Sequence, residues 1–237
     1  MAKASQREAV PAPAFIRLLA RLADVELRTP DHALVDRLGE WVDWTRAVAL
    51  SGALDGRLPA GADAPAAGGD ARQECARVRA GLVTAIHADP DTAAPKWGNT
   101  RPGSDGYAVY RERYLELQRT MQAETGRLRG QLRERLGRAS AELARLAEVD
   151  AVMEATLSPR ELTLLATVPI LLGHHFERLR ADGEAPQANL EFPPDPGGAG
   201  ADTWLDVFRR DMRNVLLAEL DVRFHPVEGL LAALRTA

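Results

Sequence analysis

The chain is short of cysteine, of aromatic side chains and of long uncharged apolar runs, and each shortage removes a class of protein. Its one cysteine, Cys75, excludes an internal disulfide and a multi-cysteine zinc cage, and fits a reducing compartment. Aromatics make up only 5% of the residues, and none is interleaved with the basic run described below, so base stacking on nucleic acid has no platform there. The longest apolar stretch, Leu162 to Leu172, falls far below the roughly 20 residues that cross a bilayer. At the start, Lys3 and Arg7 imitate a charged leader, but Arg17 and Arg21 interrupt the apolar stretch that follows; no signal peptide is read and a cytoplasmic location is expected. A net charge of -4 argues against general nucleic-acid binding. No glycine-rich phosphate loop, nucleophile elbow, zinc-protease pair, calcium loop or strand-like alternation is present.

What is present is helix. Ala, Leu, Arg and Glu dominate, and the expected fold is all-α: a helical bundle with a long central coiled-coil-like helix or helical hairpin. The expected organisation is an N-terminal helical module over 1–87, a loop over 88–106, the central element over 107–157 and C-terminal helices over 158–237 packing on it. In the central element, apolar residues recur from Tyr107, Tyr110 and Tyr114 through Leu117, Met121 and Leu128. They resume at Leu132 and Leu136 and run to Leu157, in a register slipped by one residue. Glu124 and Asp150 fall in apolar slots of the two registers. Gly126, Gly130 and Gly137 lie at the slip, which is read either as a local unwinding or as the turn of an antiparallel hairpin.

Elsewhere, Phe15, Leu18, Leu19, Leu22 and Val25 mark a short amphipathic helix. Thr29-Pro30 opens a second that runs to about Leu54, with Trp41 and Trp44 as core anchors or, alternatively, an aromatic ligand surface. Asp70 caps a third, on which Cys75, Val78, Leu82 and Ile86 point inward; Cys75 reads as a small buried hydrophobe. Ser158-Pro159-Arg160-Glu161 has the order of an N-cap, first-turn proline and capping box, so a helix start is expected there, followed by a buried segment kinked at Pro169. Asp202 is expected to cap a helix with Leu205, Phe208, Met212, Val215, Leu216 and Leu220 inward, broken by His225-Pro226 before a last short helix.

Two sets of interaction residues stand out. Trp97 lies in a proline-rich loop, either filling a gap or offered to a partner. Arg127, Arg129, Arg133, Arg135 and Arg138 concentrate positive charge; they form a docking patch for an acidic partner or phosphate backbone, or a solvated face paired with Glu142, Glu148 and acids elsewhere. His174, His175 and Glu177 are the only metal candidates, and they lack the second cluster a bundle metal site needs. No metal and no other cofactor is expected.

The segments FIRLLARLADVE, LGEWVDWTRAVALSGAL, RERYLELQRTMQ, VPILLGHHFERLR and LDVRFHPVEGLLAAL, in this order, resemble an uncharacterised bacterial family, the domain of unknown function numbered 3348. The resemblance implies no activity, cofactor or catalytic residue. It implies a setting beside a stator-like membrane protein and a peptidoglycan-binding protein, hence an accessory to an envelope complex. The function expected is a non-enzymatic scaffold or adaptor acting by helix-to-helix contact with a protein partner or a second copy. The alternatives are a metal-dependent helical-bundle enzyme and a nucleic-acid-binding regulator using the arginine run.

Overall fold

The computed structural model describes residues 13–26, 34–55, 68–88, 106–184 and 203–235, and among them every regular element is a helix. These are α1 (Ala14–Ala23), α2 (Leu34–Trp41), α3 (Trp44–Asp55), α4 (Gly68–His87), α5 (Ala108–Ala139), α6 (Ala141–Leu165), α7 (Val168–Glu184) and α8 (Trp204–Ala233). None of them is long and apolar enough to cross a membrane. Trp97, Thr29, Pro30 and Asp202 lie outside the described residues.

The 32 residues of α5 extend about 48 Å at 1.5 Å per residue. Its buried side chains are Tyr110, Tyr114, Leu117, Met121, Thr125, Leu128, Leu132 and Leu136. Their spacing is an eleven-residue pattern, closer to the natural helical period than a heptad is. This absorbs the apparent register slip: Thr125 takes the inward position next to the half-buried Glu124, and its hydroxyl is satisfied by the Met121 carbonyl at 2.8 Å. Gly126, Gly130 and Gly137 therefore stay inside a continuous helix, and the expected junction at the glycines does not form. The hairpin turn falls at Ser140, extended at φ -159° and ψ 164°, whose hydroxyl accepts from the Leu143 amide at 3.2 Å. That N-cap starts α6.

α6 returns antiparallel to α5, since Arg129 and Arg133 meet Asp150 and Glu154 while Gln118 reaches the Leu165 carbonyl. α8 runs parallel to α5: Tyr110 packs edge-on against Phe208 with centroids 5.2 Å apart, and further along Tyr114 meets Glu219. α4 packs on α5 and α8, α7 on α8 and α1, and α3 on α6. Phe15 and Leu22 of α1 and Cys75, Leu82 and Ile86 of α4 join the same core as Phe208, Met212, Val215, Leu216 and Leu220 of α8. The N-terminal helices α1 and α4 thus share one core with the C-terminal ones.

Several expected boundaries move. The segment read as one helix to Leu54 is two, because Asp43 accepts from the Arg46 amide at 2.9 Å and caps a new helix. The restart carries Trp44 to the outside, 83% exposed, so the core reading of Trp44 is wrong; Trp41 is half-buried beneath the Arg160 guanidinium, 5.3 Å from its ring. Asp70 lies within the first turn of α4 rather than capping it, and Thr203 caps α8 by accepting from the Asp206 amide at 3.2 Å.

The prolines explain the rest. α6 continues through Ser158 and Pro159, so the helix expected to start there does not. Pro159 cannot donate to the Ala155 carbonyl, four residues back, but Arg46 does so from α3 at 3.0 Å. Pro169 sits in the first turn of α7, where no internal donor is needed, and the chain breaks before it at Ala166 and Thr167 rather than kinking. The Leu165 carbonyl, which Pro169 cannot serve, receives Gln118 at 3.3 Å. Leu162 to Leu172 is consequently not one buried helix: Leu165, Val168 and Leu172 are buried, whereas Leu162, Leu164 and Ile170 are exposed. Pro226 likewise lies inside α8, whose buried Phe224, Val227 and Leu230 hold the helix together across it, so His225-Pro226 does not break the chain.

Candidate functional site

The arginine run is paired within the chain. Arg129 donates to Asp150 at 2.7 and 2.8 Å and lies 3.5 Å from Glu154; Arg133 donates to Asp150 at 3.1 Å and also to Glu154. With side chains only 16% and 22% exposed, these two clamp the hairpin arms together. Arg127 binds Glu124 at 2.9 Å and Glu74 of α4 at 3.3 Å, and Arg138 binds Glu134. Arg135 also has a partner.

Nearer the start of α5 than the clamp, α5, α6 and α8 are cross-linked by a polar cluster that the periodicity of the sequence hides. Glu219 is fully buried and Arg223 nearly so. The Tyr114 hydroxyl donates to Glu219 Oε2 at 2.5 Å, Gln118 Nε2 donates to both carboxylate oxygens at 3.2 and 3.3 Å, and Arg223 Nε donates to Oε1 at 2.9 Å. Arg223 Nη1 continues to Glu161 at 3.3 Å. Nη2 lies 2.8 Å from Glu219 Oε1 but is not aligned to hydrogen-bond. Burial pushes the Tyr114 phenol well above its usual pKa, and the adjoining carboxylate adds to the effect. Glu219 is thus a buried carboxylate met by donors from three side chains, and Arg223 links it outward to Glu161. The signal in the sequence was Glu219 and Arg223, four apart within the apolar stripe of α8.

Arg223 and Glu161 also line an open groove of about 460 Å³. Phe15 and Ile16 of α1, Trp41 of α2, Leu157, Leu162, Leu164 and Leu165 of α6, and Val222 and Pro226 of α8 supply its apolar walls. Thr125 and Gly126 of α5 form part of the floor. Ile16, Leu162 and Leu164 are 41%, 43% and 63% exposed. A side chain at Gly126 would meet nothing within 4 Å, so the floor is open at that point. Arg129 and Glu154 place the hairpin clamp at its edge. Its volume falls in the range of ligand pockets, and its lining is apolar with a few polar groups.

The histidine cluster does not converge. His174 and Glu177 are exposed on α7, with Glu177 3.9 Å from Arg180, while His175 turns inward and sits 2.8 Å from Asp211 of α8. Among the described residues no three His, Cys, Asp or Glu side chains gather as metal ligands would. Cys75 is buried, and that burial raises its thiol pKa, the opposite of an activated nucleophile.

No curated protein and no solved structure matches the chain. A family model described as "Protein of unknown function (DUF3348)" matches residues 1–236. The packing residues quoted from the sequence, from Phe15 of α1 to Leu234 beyond α8, all fall within that match, and the chain belongs to the DUF3348 family.

Proposed function

We propose that the protein is a non-enzymatic helical adaptor whose groove between α1, α6 and α8 receives a helix of a partner protein. The observation that carries this reading is the groove itself: Ile16, Leu162 and Leu164 stand exposed around an apolar trough, and Gly126 leaves its floor bare. Exposed leucines side by side in this way lose free energy to water unless something covers them. A glycine in an exposed helix interior costs on the order of 1 kcal/mol relative to Ala. Close approach of another backbone is one use that offsets it. The two alternatives have less support. The run from Arg127 to Arg138 is spent on Asp150, Glu154, Glu124, Glu74 and Glu134, which lowers its value for a phosphate backbone. His175 is committed to Asp211 rather than turned to a shared site with His174.

Site-specific photocrosslinking in the native host tests the adaptor. A photoreactive residue at Gly126 should give a discrete adduct with another protein. The same residue at exposed Gly81 of α4, which also has open space around it, should not. Leu164→Glu should abolish the Gly126 adduct. Absence of an adduct at Gly126, or identical adducts at both positions, overturns the reading. An adduct of twice the chain's own mass identifies the occupant as a second copy.

A further inference from the structure

A second concavity, sharing no residue with the groove, lies where the end of α4 meets α5 and α8. Its volume is about 150 Å³, enough for one compact polar group and too small for a nucleotide. Three guanidinium-bearing residues line it, Arg113 from α5 and Arg209 and Arg213 from α8, with His87 at the end of α4; Asp206 is the one carboxylate in the lining. In a chain of net charge -4 such a local excess of cations is notable, and the apolar floor of Ile86, Leu117 and Met212 reduces the screening between them.

Two of the arginines are held in place by the fold. Arg113 Nη2 donates to the Ala85 carbonyl at 2.9 Å and Nη1 to the exposed Glu116 carboxylate at 2.8 Å. Arg209 Nε donates to the Tyr110 hydroxyl at 3.3 Å, and its Nη1 lies 3.6 Å from Asp206, whose other oxygen is engaged by Thr203. Arg213 is half-buried, and among the described residues it has no ion-pair partner. Glu116 answers Arg113 and Asp206 faces Arg209, so Arg213 adds a positive charge to the cleft that neither carboxylate answers, and a doubly charged oxyanion supplies the missing negative charge. A single planar carboxylate is satisfied by one guanidinium fork, whereas a tetrahedral phosphoryl group presents oxygens to forks from several sides.

We propose that this cleft binds a single phosphoryl group, with Arg113 and Arg209 as the preset donors and Arg213 as the one completed by the ligand. The source is inorganic phosphate or a small phosphate monoester. The test uses the full chain, titrated at constant ionic strength with inorganic phosphate against chloride and followed by amide and arginine Nε–H resonances. A saturable shift at His87, Arg209 and Arg213 is expected. Arg213→Ala should weaken it about tenfold or more, the loss of one charge-assisted fork. Arg213→Lys should recover part of the affinity. In phosphate-free chloride buffer, Arg213→Ala should be at least as thermally stable as the parent, because it relieves repulsion; a merely structural arginine would destabilise when removed. A parallel titration with glycerol phosphate separates the sources: tighter binding than phosphate marks a phosphorylated metabolite, weaker binding the free anion. The proposal is overturned if phosphate gives no saturable shift beyond chloride, or if Arg213→Ala binds phosphate as the parent does.

Discussion

Two ionic networks sit along α5, one at each side of the groove, and they differ chiefly in their access to water. The hairpin clamp pairs Arg129 and Arg133 with Asp150 and Glu154, all partly wet. The inner cluster gathers Tyr114, Gln118 and Arg223 around a Glu219 that water does not reach. In the clamp, solvent supplies what the protein omits, so losing one partner is tolerable. In the inner cluster water does not replace a lost partner: without Arg223 the Glu219 carboxylate is stranded, and without Glu219 only Glu161 is left to answer Arg223. The comparison teaches that the same residue types, on the same helix, act as adjustable staples at the rim and as an obligatory keystone at the centre.

The largest expected effect tests the keystone. Glu219→Ala should destabilise by about 3 kcal/mol in urea denaturation, because it leaves the buried Arg223 with only the half-exposed Glu161, 3.3 Å away, as its counter-charge. The pair Glu219→Leu with Arg223→Met should recover most of that loss, which would show that the cluster matters through its balance rather than its charge. Next, Asp150→Ala in the clamp should cost about 1–2 kcal/mol, and 1 M salt should shrink its deficit while leaving that of Glu219→Ala intact. Equal salt sensitivity in the two variants would erase the distinction drawn here.

A smaller effect lies in alkali. Burial pushes the Tyr107 phenol up to about 12, and burial together with the Glu219 carboxylate also raises Tyr114 well above its usual value. The folded chain holds both protons more tightly than the unfolded chain, whose phenols titrate near 10. Stability from this source is therefore full below pH 10 and declines as the pH rises from 10 through about 12. Tyr114→Phe should flatten that decline; a slope unchanged by it would place Tyr114 outside the titrating cluster. The smallest effect is a gain. Gly126→Ala, on the same helix but in neither network, should stabilise by about 0.5–1 kcal/mol, since the added methyl meets nothing. A loss in that variant would mean that α5 requires the glycine for its own folding.

The helical class and most inward faces were legible because periodicity records burial directly: Phe208, Met212, Val215, Leu216 and Leu220 are buried as their spacing predicts, and so are Cys75, Leu82 and Ile86. The helix ends were less legible because a terminal signal is local and its satisfaction is not. Ser158-Pro159 reads as a start only if no donor covers Ala155, and Arg46, 109 residues earlier, covers it. The arginine run was visible as charge, but its partners Asp150 and Glu154 lie on the returning arm and reveal themselves only once Ser140 sets the turn. Of the groove, the sequence displayed the apolar residues without their exposure: Leu162 and Leu164 sit in a run that looked buried, and the break at Ala166 turns them outward. Glu219 and Arg223 resemble any polar pair four apart on a helix; only the parallel placement of α8 on α5 gives them Tyr114 and Gln118.

The opposite directions in which α6 and α8 lie against α5 also dictate an order of assembly. Clamp partners are 17 to 25 residues apart in the chain, whereas Tyr114 and Glu219 are separated by 105. By loop-closure entropy the longer connection costs about 1.4 kcal/mol more to bring together. The hairpin is therefore expected to close first and α8 to arrive late. Until it does, the face of α5 that carries Tyr114 and Leu117 has no cover on that side. During synthesis α5 and α6 leave the ribosome well before α8, so the nascent chain presents an adhesive stripe whose lid has yet to be made.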